Sequence, residues 1–600
     1  MRLGKYDRDF HERGTGYFYS GKIWQNAQKY LFLQEIIDSK TNNMKKNFVK
    51  SRWLFTMLLF VTTMIMPTMM LAEESITPTR PTTGDGSAEN PYQISNAAEL
   101  YWFAGLVNGT LVGVDRDASA NAILTKDITV NEGVLDAVNK GQVSKSDFIE
   151  WEPIGTSGSY TGTFNGQGHI ISGLYFNNPE AYNVGLFGYI GDDHKGHKGK
   201  ISNVGVSDSY FQFYSQGGGV CGVNGDGGVL QNCSNSSTVI GKYGRAGGVC
   251  GDNCGTVRDC KNTGSVSGQN DVGGVCGDNS GTIKSCYNTG SVHGTDNVGG
   301  VCGFGYSAIT NCYYLSGTAT RGDMDGKAVE MSLEQFKSGE VAWLLNGKGL
   351  GEQVWGQQLG IDPSPVPGSD YKVIKAAQGD KDANGNDTYW ATFSNLTNDV
   401  TLSVPSVRTL KVYNATVSGG KMTLTERNHQ VAMDEGVLLK TDGEYVNAKA
   451  NETNELAKAS SDDNLLVATP AEAQTITADA GYILYRLTYN DATNKKGLGF
   501  YLSVDKANNS YNGTRLIATP GKAYLKVSEN EAKDPSSAAL ARSFVFGGGN
   551  ETTGIEGITI MGTDVQRHGT IKEIFDLQGR KIVNPTKGIY IKNNKKVVIK

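Results

Sequence analysis

The chain carries nine cysteines, and a repeat arranges eight of them. "GGVCG" begins at Gly218, Gly247, Gly273 and Gly299, at spacings of 29, 26 and 26, so Cys221, Cys250, Cys276 and Cys302 share one repeat position. A second cysteine follows in "LQNC", "VRDC", "IKSC" and "ITNC": Cys233, Cys260, Cys286 and Cys312. Such residues serve metal ligation, cross-linking or redox exchange. Tetrahedral zinc needs four convergent thiolates, whereas a constant register stacks these in columns, and no C-x-x-C occurs. Adjacent rungs about 4.8 Å apart lie within disulfide range, but in-register parallel strands aim their Cβ vectors side by side. Packing as small buried apolar residues is the expected role. Disulfides are the alternative in an exported chain, and metal ligation is the weakest of the three. Cys254 stands outside both columns; the next copy has Ser280 there, in a turn, so an exposed thiol is expected.

Other residues with chemical potential are sparser. "DKDANG" puts Asp380, Asp382 and Asn384 at positions 1, 3 and 5 of a calcium-loop pattern, but position 12 is Ala391, where a bidentate carboxylate belongs. A polar turn before a strand at Tyr389–Phe393 is favoured, and calcium is the only cofactor with any case. "RGD" at 321–323 and the loop "GDDHKGHKGK" at 191–200, with Asp192, Asp193, His194 and His197, read as turn and solvated insertion. No paired carboxylates, Ser/His/Asp set or phosphate loop stands out. Acid and base groups could still converge from separate rungs, so no catalytic residue is assigned and the binding residues stay unknown.

The elements that position these residues follow from the repeat. About 26 residues cut by glycines and Asn/Asp are too few for a domain, but suit one coil of a β-solenoid whose core is completed by stacking. Three short strands per coil and about seven coils are expected, at roughly 4.8 Å per rung. The step of three from the strand's apolar residue to the second cysteine breaks alternation. A corner is therefore expected at Asn232, Asp259, Ser285 and Asn311. Glycine, 78 of 600 residues, is nearly twice the usual share of about 7%. Ser332–Asn346 reads as one amphipathic helix, N-capped by Ser332, with Leu333, Phe336, Val341 and Leu344/Leu345 apolar. It would cover the open end of the solenoid.

The repeats, with "GDGSAENPYQISNAAELYWFAGLVNG" (84–109), "WEPIG" (151–155), "GTFNGQGHIISGL" (162–174) and "SLEQFKSGEVAWLLN" (332–346), resemble the GLUG-motif family of bacterial surface proteins. The resemblance implies an adhesin-like β-solenoid. Residues 371–552 contain short strands such as "YWATFSN", "GVLLK" and "GYILYRL" separated by polar turns, which suits an antiparallel sandwich. This stretch resembles a module common near the C-termini of exported proteins of gut-type anaerobes. "IKEIFDLQGRKIVNPTKGIYIKNNKKVVIK" (571–600) suits a small four-strand sheet with a hairpin at Asn593–Asn594. It also resembles the sorting tail of type IX-like secretion.

The fold expected is all-β: a right-handed β-solenoid with a C-terminal helical cap, an antiparallel β-sandwich and a small C-terminal β domain. Residues 1–43 read as an overextended start, 44–72 as a Sec signal peptide with basic Lys45, Lys46, Lys50 and Arg52 ahead of an apolar stretch, and 73–83 as linker. The solenoid takes 84–320, the helical cap and Pro-rich linker 321–370, the sandwich 371–552 and the tail 553–600. Charge is nearly balanced, 56 Lys+Arg against 61 Asp+Glu, without a basic block, so nucleic acid is not an expected partner. The expected function is an exported, non-catalytic adhesin at the cell surface, in the outer membrane or secreted, with no stable transmembrane anchor after cleavage. Its partners would be an extracellular glycan or host protein and, through the tail, the secretion machinery. A carbohydrate-active enzyme on a β-helix and a passive surface component are the alternatives.

Overall fold

The computed structural model describes residues 75–141, 147–191, 198–319, 327–382, 384–492, 496–504, 512–533, 535, 540–546 and four short strands between 574 and 599. The start and signal segments, the RGD and residues 192–197 lie outside the described residues. The repeats form a parallel β-solenoid of about eight turns, two of whose sheets contain eight strands each. Seven turns were expected; the opening strand Tyr92–Ile94 already pairs in register with Ala122–Leu124 and adds one.

A complete turn has four strands rather than three. The sequence Val266–Gly273, Cys276–Asn279, Thr282–Lys284 and Tyr287–Asn288 runs once around the coil. We name the sheets these strands join faces C, D, A and B, respectively. The extra division falls at "GGV", where the bend sends both Val275 and Cys276 into the core. Glycine is required at that bend, since a Cβ on Gly247 would lie 1.9 Å from the Cys250 carbonyl oxygen. Between faces A and B, φ is +54° at Asn232, +57° at Asp259, +52° at Ser285 and +56° at Asn311. This left-handed conformation, which Asn and Asp tolerate best among non-glycine residues, lets Leu230 and Cys233 both enter the core.

The interior holds two columns of asparagine beside the cysteines. Asn224, Asn253 and Asn279 are fully buried, and each amide donates to the next Oδ1, at 2.6 and 2.7 Å. Asn235, Asn262 and Asn288 repeat the pattern at 2.8 and 2.9 Å. Stacking identical amides satisfies donor and acceptor together in a place water does not reach.

The helix Ala97–Asn108 closes the first turns. Asn96 Oδ1 accepts from the Glu99 N–H at 3.0 Å, and Gly109 ends the helix with φ +73°. Phe103 packs on Tyr160 and Phe164 at 6.1 and 5.9 Å between ring centroids. After the last turn, the single helix expected at 332–346 is two short ones, Leu333–Ser338 and Glu340–Leu345. Gly339, at φ +93°, caps the first and breaks the run. Ser332 and Gln335 form a reciprocal capping box. Phe336, Val341 and Leu345 pack on Tyr287, Tyr313 and Trp355, so the helices cover the flank of the last turns along face B; Leu333 stays exposed.

The Pro-rich stretch is folded rather than a loose spacer. Trp355–Gly356 pairs antiparallel with Val366–Pro367, and Tyr287 donates to the Pro365 carbonyl at 2.5 Å. Asn447 then joins the two halves: its Oδ1 accepts from the Leu359 N–H and its Nδ2 donates to the Gln357 carbonyl, both at 2.7 Å.

Beyond it, the single sandwich expected is three layers. The middle sheet contains Tyr389–Phe393, Leu410–Ser418 and Val437–Thr441. On one side Phe393, Val437 and Leu439 meet Ile374, Leu402 and Val446; on the other, Trp390, Ala415 and Leu438 meet Tyr485, Phe500 and Leu525. The tail forms a four-stranded sheet in which Gly588–Lys592 pairs with Lys595–Ile599, Lys592 opposite Lys595; the turn residues Asn593 and Asn594 lie outside the described residues. No helix among the described residues is long and apolar enough to cross a membrane.

Candidate binding face of the solenoid

The structure places both cysteine columns inside the coil. Cys221, Cys250, Cys276 and Cys302 are successive partners on face D. Cys233, Cys260, Cys286 and Cys312 stack at the A–B corner, where the Sγ atoms of the last three accept from the preceding cysteine's N–H at 3.4 to 3.5 Å. All eight are buried as free thiols. Burial pushes the thiols of Cys221, Cys260, Cys276 and Cys286 well above their ordinary range, which removes at those four positions the thiolate that metal binding or exchange requires. At Cys250 burial pushes the same way, but hydrogen bonds from Cys221 and Cys276 outweigh it and bring the thiol down to about 5. Cys254 is exposed, yet partial burial and then Asp252 raise its thiol as well.

The calcium-pattern residues lie in the turn before the strand Tyr389–Phe393. Asp382 Oδ1 accepts from the backbone N–H groups of Asn384 and Asn386 at 2.9 and 2.8 Å, while its Oδ2 takes the Asn386 amide at 3.1 Å. The carboxylate thus organises its own turn. Ala391, at position 12, is buried in the following strand. Among the described residues, no three His, Cys, Asp or Glu side chains gather as a metal site.

The outer surface where faces C and D meet carries three ladders that sequence reasoning missed. First, Tyr182, Tyr214 and Tyr243 stack at 5.2 and 5.5 Å between centroids, the second pair nearly parallel at 5°. Tyr182 is 55% and Tyr243 51% exposed, an unusual expense of aromatic surface in water. Lys242 sits 5.9 Å above the Tyr214 ring and pairs with Glu180 at 2.5 Å. Secondly, Asn183, Gln216, Arg245, Asp271 and Asn297 occupy one corner position, each with φ between +51° and +63°. Thirdly, Tyr189, Val223, Asp252, Asp278 and Phe304 succeed one another on face D.

The second and third ladders are joined by charge. Arg245 Nη1 binds Asp252, its Nε reaches Asp278 Oδ2 at 3.4 Å, and Gln216 Nε2 donates to Asp252 Oδ2 at 3.2 Å. Burial, then repulsion from Asp252, raises the Asp278 carboxyl above the usual range. Two carboxylates one rung apart, one of them raised, resemble an acid–base pair for glycoside chemistry. Arg245 occupies the space between them, however, and the two residues are only 7% and 8% exposed, so no sugar ring can enter. What the face offers a ligand is three aromatic rings on successive rungs, one guanidinium and the side-chain amides of Asn183, Gln216 and Asn297. The Gly-Gly pair gave a usable signal, since Tyr214 and Tyr243 stand at the same offset before it.

No model of a known protein family matches the chain. Over 128 residues it is 29% identical to a "Putative Gly-rich membrane protein" of Evansella cellulosilytica, covering 21% of this chain and 12% of that protein. The chain thus spans about an eighth of the length of that relative. Among solved structures, a "putative immunoglobulin A1 protease" from Bacteroides ovatus aligns over 48% of this chain and 95% of its own, with 20% identity and a TM-score of 0.36. The tailspike gp49 of the Acinetobacter baumannii bacteriophage Fri1, a capsular polysaccharide depolymerase, aligns over 56% and 68%, with 10% identity and a TM-score of 0.12.

Proposed function

We propose that the chain is an exported, adhesin-like surface protein that binds an extracellular ligand along the C–D face of its solenoid without catalysis. Export would use the segment 44–72 and surface delivery the tail 571–600. The observation that carries this reading is the exposed Tyr182–Tyr214–Tyr243 ladder beside the Arg245, Asp252 and Asp278 row. Its elements recur at rung spacing, which suits a ligand that is itself a repeating chain. A glycan fits better than a protein surface, because rings and hydrogen-bonding side chains alternate without an apolar core of interface size. Retention of the protein on an immobilised glycan panel, compared with host-protein spots, is the test. Selective glycan retention that falls at least tenfold, about 1.4 kcal/mol, in Tyr214→Ser/Tyr243→Ser is expected. Equal retention of the double variant overturns the face, and release of reducing ends or unsaturated sugars overturns the absence of catalysis.

A further inference from the structure

The C-terminal layers form a cleft of about 410 Å³ between the middle and third sheets, lined by residues between 375 and 524 and so far in sequence from the solenoid's ladders. Among the described residues its charged lining is Lys375, Arg486 and Lys522, with no carboxylate. The Lys375 ammonium is already engaged, 3.2 Å from the Tyr445 hydroxyl and 3.9 Å from Glu444. Arg486 and Lys522 make no side-chain hydrogen bond or ion pair among the described residues. Lys372 adds a further cation nearby: a Cβ built on Gly521 would lie 3.6 Å from its ammonium. Burial, reinforced by Lys372, pulls Lys522 down to about 8. An unpaired cation held partly out of water costs stability that a bound anion recovers.

The rest of the lining suits a polar body rather than a bare ion. Trp390, Tyr489 and Tyr524 supply ring surface and Thr392, Thr488 and Thr519 supply hydroxyls, while the Thr469 hydroxyl is held by the backbone of Thr519 and Lys522. The volume falls at the small end of organic-ligand pockets, about 300–1,000 Å³, room for one sugar ring with its substituents. We infer that this cleft binds a saccharide-sized ligand carrying a fixed anionic group, a carboxylate or a sulfate, held by Lys522 and Arg486.

Isothermal titration of the full chain with D-glucuronate, D-glucose 6-sulfate and D-glucose tests the inference. At least one anionic sugar is expected to bind ten times more tightly than glucose. Binding of glucuronate alone assigns a carboxylate, and of the sulfate ester alone a sulfate. At pH 8 binding is expected to take up protons, read as a heat that changes with the buffer's ionisation enthalpy, because the anion raises Lys522. Lys522→Met is expected to abolish binding and proton uptake while raising the melting temperature, since it deletes an unpaired charge. Arg486→Met, on an exposed side chain, is expected to weaken binding at least tenfold with the fold unchanged, and Lys458→Met, whose ammonium pairs with Asp434 elsewhere, to leave it intact. Glucose binding as tightly as the anions, no binding of any of the three at millimolar concentration, or binding indifferent to both Lys522→Met and Arg486→Met overturns the inference.

Discussion

Asn253→Ala probes what holds successive turns in register. The Asn253 side chain is inaccessible to water. Its Nδ2 donates to Asn279 Oδ1 at 2.7 Å and to the Thr282 carbonyl at 3.3 Å, and its Oδ1 accepts from Asn224 Nδ2 at 2.6 Å. Alanine deletes all three bonds and leaves Asn279 Oδ1 without this donor. Asn224 Nδ2 keeps only the long contact to the Thr256 carbonyl, 3.3 Å. Each orphaned buried polar atom costs about 1–3 kcal/mol. With one atom stranded and one half-satisfied, a loss of about 2–4 kcal/mol is expected, a large share of a domain's margin. Replacing Asn224, Asn253 and Asn279 together should cost clearly less than three such losses, because no amide is then left facing an empty site. Urea unfolding followed by circular dichroism measures the totals, and hydrogen exchange locates the loss in the turns flanking 253, where a nearest-neighbour stack must show it. A loss below about 1 kcal/mol for the single variant, or strict additivity in the triple one, would refute the ladder as a source of cohesion.

Two further perturbations follow from the site and the bend. The Asp278 carboxyl is raised by burial and by Asp252, so the folded state holds a proton more tightly than the unfolded chain, and stability falls as pH climbs from the ordinary carboxylate range through the raised value. Asp278→Asn is therefore expected to raise the melting temperature at neutral pH, with the gain vanishing below pH 3.8, the ordinary value; a gain that persists in acid contradicts this. Gly247→Ala places a methyl 1.9 Å from the Cys250 carbonyl, a backbone atom that cannot step aside. Limited proteolysis should then cut within residues 238–253, and an intact digestion pattern would show that the bend relaxes.

The register of the cysteines could be read from the sequence because identical residues recur at identical spacing, and stacking follows from spacing alone. The fourth strand could not, since "GGV" between Val266–Gly273 and Cys276–Asn279 reads equally well as the interior of one strand and as a bend between two. Asparagine misled for a related reason: Asn232 takes a left-handed corner while Asn253 lies inside a ladder, and the residue type serves both. The third layer of the C-terminal part had a visible trace in "GVLLK", whose Val437, Leu438 and Leu439 form an unbroken apolar run, the mark of a strand covered on both faces. The candidate face was half visible: Asp252 and Asp278 share one repeat position in "CGDN", 26 residues apart, but nothing along the chain shows that Arg245, seven residues before Asp252 in the same turn, reaches both. The cleft at Lys522 is more distant still, gathered from residues 375 to 524.

The repeated internal bonding frees the length of the rod from its stability. Gly247–Val272 and Gly273–Val298 are both 26 residues long and meet their neighbours through the same cysteine, asparagine and left-handed positions. Removing or doubling one such segment leaves each remaining junction with the partner type it had before, and shifts everything beyond it by about 4.8 Å along the axis. Misaligned recombination between the two DNA segments would accordingly yield foldable proteins of different reach in a single step, and a lineage could adjust the length of the solenoid without redesigning a core.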